Sequence, residues 1–145
     1  MNIAVKIIPH NEHRYPTCGD WWFTPEGDLE IRVSKMSDWR YECLVAFHEL
    51  CEVLICKHLG ITQEAVDAFD IQFEKDRERR AALSESGAAA DVRECESLPG
   101  PDDEPGDHKD APYRVQHFIA TNCERILALA LGVNWADYDG EVVSL

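Results

Sequence analysis

The sequence predicts an α+β domain, a small antiparallel sheet at the N-terminus packed on about three helices, with a long acidic loop at one end. Three observations carry that prediction. Residues 1–36 hold short β-branched and aromatic runs separated by turn residues. Residues 37–83 and 111–132 repeat their apolar positions at the helical period. Between them, residues 84–110 are rich in Gly, Pro, Asp and Glu and read as a mobile loop. A chain of 145 residues closes one hydrophobic core, so residues 1–145 are expected to form a single domain.

The opening "NIAVKIIPH" reads as a strand with Ile3, Val5 and Ile7 on one face. In "GDWWFTPEGDLEIRVSK" an aromatic run meets Pro and Gly suited to a hairpin turn. Leu29, Ile31 and Val33 then alternate with Glu30, Arg32 and Ser34, the pattern of a half-buried strand. Ser37 or Asp38 supplies the N-cap of a first helix that runs to about Leu59, where Gly60 stops it. Thr62 caps a second helix, from Gln63 to about Leu83. Asp110 caps a third, "APYRVQHFIATNCERILALAL", with Pro112 in its first turn and Gly132 at its end. The tail, residues 133–145, is expected to tuck Val133 and Trp135 onto the core.

A formal charge of −14 argues against nucleic acid or an anionic membrane as a general partner. It is compatible with a cationic partner, a metal, or an acidic surface that serves solubility. No apolar run is long enough to span a bilayer, and the start lacks the apolar region and cleavage site of a signal peptide. The six cysteines form no C-x-x-C pair, and three of them fall in the first helix. They are expected as reduced thiols of a cytoplasmic protein.

The chemistry concentrates in "FHELCEVLICKH", residues 47–58. At 100° per residue, His48 and Glu52 lie one turn apart on a stripe with Tyr41, Leu44, Val45, Ile55 and Leu59. A second apolar stripe (Phe47, Leu50, Leu54) makes the helix buried on more than one side. A buried carboxylate must be neutral, paired or bound to a cation. The third helix offers a matching stripe of His117, Thr121, Glu124 and Ala128. If the two helices pack antiparallel, His48, Glu52, His117 and Glu124 converge. Mixed imidazole and carboxylate ligands suit zinc, iron or manganese. The competing expectation is a buried His-Glu or Arg-Glu network, with Arg125 or Arg40 neutralising the carboxylates.

The zinc-protease signature H-E-x-x-H binds zinc through two histidines and uses the intervening glutamate as general base. Here Glu52 stands in place of the second histidine, which a carboxylate ligand tolerates, and no further zincin element completes the pattern. Glu49 is the candidate catalytic base, although the helical wheel turns it toward Glu42, Val53 and Lys57 on the wetter face. Asp67 and Asp70 read as a solvated face or as additional ligands. His108 reads as a hydrated loop residue, His10 and His13 as surface residues, and His58 as a helix-end charge. Trp21, Trp22 and Trp39 read as core anchors.

The segments "RYPTCGDWW", "SDWRYECLVAFHELCEVLICKH", "VDAFD", "EPGDHKDAPY" and "HFIATNCERILALALGVNW" together resemble a group of small proteins encoded by tailed phages and their prophages. The resemblance spans most of the chain except about residues 81–98. It implies the cytoplasm of an infected or lysogenic bacterium and does not specify a reaction. From the His48, Glu52, His117 and Glu124 set, the functional expectation is a metal-dependent hydrolase acting on a phosphoester, nucleotide or amide. The alternative is a non-enzymatic protein whose acidic surface engages a host protein partner, with any metal structural.

Overall fold

The computed structural model describes residues 1–86 and 91–145. Three strands come first: β1 (Ile3–Ile8), β2 (Gly19–Phe23) and β3 (Leu29–Ser34). Five helices follow: α1 (Trp39–Leu59), α2 (Gln63–Ser86), α3 (Asp91–Ser97), α4 (Arg114–Ala130) and α5 (Trp135–Ser144). The architecture is α+β, as the sequence indicates.

The sheet is mixed rather than antiparallel. β3 lies in the middle, antiparallel to β2 and parallel to β1, in the order β1-β3-β2. The hairpin joining β2 to β3 closes with Thr24 N–H donating to Asp28 O at 2.8 Å, and Gly27 takes φ +83°. That turn leaves β3 only one free edge, and the connection through residues 9–18 carries the chain across so that β1 occupies it. Leu29, Ile31 and Val33 on β3 are fully buried beneath α1, each contributing about 1.5–3 kcal/mol by leaving water. Their partners in register, Ile3, Val5 and Ile7, stay 42–49% exposed, because α1 packs on β2 and β3.

α1 begins where Asp38 accepts the Arg40 N–H at 2.9 Å, and ends where Gly60 adopts the left-handed conformation, φ +75°. It is sandwiched between the sheet and α4, so Leu44, Val45, Val53 and Cys56 are buried on its different sides. Arg40 Nη1 reaches Leu131 O at 3.3 Å, which fixes α1 and α4 as antiparallel. All six cysteines are free thiols.

Elsewhere the elements depart from the sequence reading. α2 continues into the stretch expected to be loop, and α3 packs beside it, with Arg80 Nη1 donating to Leu98 O at 2.6 Å. Of the expected loop, residues 87–90 lie outside the described residues. The segment that follows α3 ends in a 3-10 turn at Pro105–Asp107 and is anchored by His108, whose ring packs against Phe69 and Phe73 at 5.7 and 6.0 Å. His108 is thus a packing residue on α2 rather than a hydrated one. Asp110 pairs with Lys109 instead of capping α4, whose first residue follows Tyr113 with no side-chain cap. The tail forms α5, capped by Asn134, and Val133 and Trp135 pack on the core as expected. Of the three tryptophans expected as core anchors, only Trp21 is one. Trp22 is stacked between Arg14 and Arg32 on the outer face of the sheet, and Trp39 is 63% exposed.

Candidate metal centre

The antiparallel crossing of α1 and α4 brings His48, Glu52, His117 and Glu124 together. Glu52, His117 and Glu124 are buried, and the His48 side chain is 12% exposed. Neither arginine considered as a neutralising partner reaches them. Arg40 is held by Asp38, and Arg125 stacks on Trp135 at 4.6 Å. The carboxylates instead meet the two imidazoles.

Three atoms face one another: His48 Nε2, His117 Nδ1 and Glu52 Oε2. Their separations are 3.1 Å between the nitrogens, 3.2 Å from His117 to Glu52 and 3.6 Å from His48 to Glu52. An ion bonded tetrahedrally at about 2.1 Å has ligand atoms roughly 3.4 Å apart. The triangle therefore has the dimensions of one face of such a coordination sphere, and His48, Glu52 and His117 form a group that could hold a metal ion.

The opposite side of each residue is occupied by a protein partner. Glu124 Oε2 lies 3.0 Å from His48 Nδ1, so the fourth expected residue stands behind His48 rather than beside its inward nitrogen. A carboxylate only accepts, so this nitrogen carries a proton and leaves Nε2 with a lone pair in the neutral ring. Glu124 in turn accepts from the Tyr138 hydroxyl. On His117 the outward nitrogen, Nε2, lies 3.3 Å from Glu104 Oε2 and 3.8 Å from Asp107 Oδ1. Glu52 accepts from the Trp21 indole N–H at 3.1 Å through Oε1, leaving Oε2 free to face the histidines. Three lone-pair atoms pointing at one spot repel unless a cation or protons intervene.

Protons supply that need in the metal-free chain. Burial disfavours charging of His48, but hydrogen bonds to Glu124 and Glu52 outweigh it and hold its pKa well above the ordinary imidazole range. At His117 the same opposition, with Glu104 and Glu52 as partners, sets the value at about 9. Burial alone would raise Glu52, yet its histidine partners bring it down to about 2.

Glu49 keeps its expected direction but not its expected surroundings. It lines the cavity beside the cluster instead of a wet face, because β2 and the 3-10 turn enclose that side of α1. Gly19 makes room for it: a Cβ there would lie 2.3 Å from Glu49 Oε1. Among the described residues nothing donates a hydrogen bond to the Glu49 carboxyl. Burial, reinforced by the nearby Glu52 charge, pushes its pKa well above the ordinary range.

The cavity has a volume of about 300 Å³ and is walled by twelve carboxyl side chains against two guanidinium groups, Arg77 and Arg125. Asp70 belongs to this wall and is buried, not solvated. It accepts from the Tyr113 hydroxyl at 2.5 Å and from Tyr15 at 3.4 Å, and burial pushes its pKa up to about 7. Asp67 is taken by Arg14 at 2.9 Å. His10 and His13 share the Ser34 hydroxyl at 3.0 and 3.1 Å, and His58 stays exposed at the end of α1.

Sequence reasoning missed Glu104, Asp107 and Gly106. The backbone of Gly106 lies flat against the His117 ring, so that a Cβ would come within 2.3 Å of its Cγ. The available signal was Pro105-Gly106, a turn able to approach another group closely, flanked by acids in an otherwise loose segment. No helix among the described residues is long and apolar enough to cross a membrane. No family model, curated protein or solved structure matches this chain.

Proposed function

We propose that the chain is a metal-dependent hydrolase that holds one divalent ion through His48 Nε2, Glu52 Oε2 and His117 Nδ1. Zinc fits this His2Glu set first, with iron or manganese as alternatives. One observation carries the reading: three lone-pair atoms converge at coordination distances, each on a side chain whose other polar atom is already held. Partners of that kind fix the tautomer and orientation of metal ligands. Glu124, Glu104 and Trp21 are the positioning residues in this reading.

Three protein ligands and an adjoining cavity favour a catalytic ion over a structural one, which four protein ligands would close. A bound divalent ion supplies Lewis acidity and lowers the pKa of a water at its open position. Glu49, on the wall of the same cavity, would serve as the acceptor of that water's proton. The nearby dication would offset the burial and the Glu52 charge that otherwise keep Glu49 protonated. A wall so rich in carboxyls repels phosphate, so an amide fits the site better than a phosphoester or nucleotide. In this reading the phage resemblance favours the cytoplasm of a bacterial host as the setting. The second reading, a non-enzymatic interaction protein with a structural ion and a host protein partner, draws its support from the acidic character of the chain, a formal charge of −14.

Elemental mass spectrometry on tag-free protein tests the site. One ion per chain is expected in the parent and none in His48→Ala or His117→Ala. A parent that stays metal-free after incubation with zinc, iron and manganese would sink the proposal. Glu49→Gln then separates the two readings: it should keep the ion and abolish amide hydrolysis if the ion is catalytic.

A further inference from the structure

The outer face of α4 carries an apolar stripe that nothing among the described residues covers. Val115, Phe118, Ile126 and Leu129 are 63%, 65%, 70% and 82% exposed, and Asn122 lies at the stripe's centre. The intervals between these five positions are three, four, four and three residues, the same read in either direction. Positions three and four residues apart fall on one face of a helix, and a single central Asn is a device that fixes register between paired helices.

We propose that this stripe is the interface of a homodimer, in which the α4 helices of two copies pack antiparallel about a twofold axis through Asn122. A twofold interface must be complementary to itself. A palindromic stripe satisfies that condition: Phe118 of one copy meets Ile126 of the other, Val115 meets Leu129, and the two Asn122 amides meet on the axis. With Ile119, 40% exposed, the apolar side chains present on the order of 500 Å² per copy, so the pair buries about 1,000 Å², the threshold of a specific interface.

Charge leaves this face open to a second copy. The chain carries −14, so most approaches between two copies bring like charges together. The exposed residues of α4 include no acid, since its one carboxylate, Glu124, is buried in the metal cluster, while Arg114 and Arg125 are exposed. Two copies can therefore meet at this face without acidic repulsion.

Sedimentation velocity on the full chain tests the proposal. The parent is expected to be a dimer at tens of micromolar, a concentration typical of a modest interface. Phe118→Glu and Ile126→Lys should each give a monomer with unchanged helix content and metal stoichiometry. The double variant should restore the dimer, because the antiparallel register sets each new glutamate against a new lysine of the other copy. A parent that is monomeric at about 100 μM overturns the proposal, and so does a monomer that co-sediments through this stripe with phosphatidylcholine–phosphatidylglycerol vesicles. A dimer indifferent to both single variants places the contact elsewhere, for instance on the exposed β1. Single variants that dissociate without rescue in the double overturn the register.

Discussion

The inner and outer faces of α4 are inverted relative to an ordinary surface helix. Inward it turns Gln116, His117 and Glu124, all buried, and outward Val115, Phe118, Ile126 and Leu129. Hydrophobic burial would assign these residues the opposite way round. The inversion is stable on the inside because His117 and Glu124 each have a partner, and the small Ala120 and Ala128 let α1 approach closely. Polar groups inside a protein are tied to specific neighbours, whereas apolar groups outside remain available to any matching surface. The inner face therefore answers to single side chains and the outer one to the presence of another molecule.

Substitutions on the inner face should have the largest effect. His117→Ala leaves Glu52 short of a partner in a buried site, and in the metal-free state at pH 7 this should cost about 3–5 kcal/mol in urea unfolding. A loss below about 1 kcal/mol would show that the cluster relaxes into water and is not the fixed network described.

Gly106→Ala tests the same face from outside the helix. The added methyl collides with the His117 ring and must displace either the ring or the turn. Metal affinity should fall by about 10–100-fold, as when an orienting neighbour is removed, with a smaller change in the stability of the metal-free chain. Competition with a chromophoric chelator reads this directly.

The pH dependence sharpens the contrast between protons and metal in the cluster. His117 titrates near 9 in the folded chain against an ordinary 6.5, so the stability it contributes is complete below 6.5 and disappears as pH rises through 9. Asp70, raised from 3.8 to about 7, also removes stability as pH rises between those values. Glu52, lowered from 4.5 to about 2, contributes stability above 4.5 that is lost as pH falls through 2. Metal-free protein should thus be most stable on the acid side of neutrality and weaken toward pH 9. The ion competes with the same protons, so the rise in melting temperature on adding zinc should grow from pH 6 to pH 8. A zinc-induced shift that shrinks over that interval would count against the histidine ligands.

The smallest effect belongs to the outer face. Leu129→Ala should change the unfolding free energy of dilute monomer by no more than about 0.5 kcal/mol, since the side chain is 82% exposed. Its consequence should appear only at concentrations where two copies associate.

Much of the site was legible because it rests on single helices. The spacings His48–Glu52 and His117–Glu124 fix which side chains share a face, and the caps Asp38 and Gly60 fix the limits of α1. What a neighbouring element does to that face is not written in the helix itself. The wheel gave the direction of Glu49 correctly, but the wetness of that direction depends on β2 and on Gly19. Glu104 reaches His117 only because His108 is anchored on Phe69 and Phe73, contacts distant in sequence. The parallel pairing of β1 was hidden for a similar reason. Alternation marks a strand, while its direction depends on which edge of β3 the hairpin leaves free. α5 left a local signal, Asn134 ahead of "WADYDG", that is easily read as a turn.

The turn at Gly106 bears on time as well as on geometry. It lies against the His117 ring and follows Glu104, so an ion bound at His117 Nδ1 would exchange from a site that this turn partly screens. The helix ligands would then set how tightly an ion is held, and the turn would slow its exchange. Brief exposure to a chelator would leave the ion in place, and prolonged dialysis would remove it, at a rate governed by the anchoring of His108 on α2.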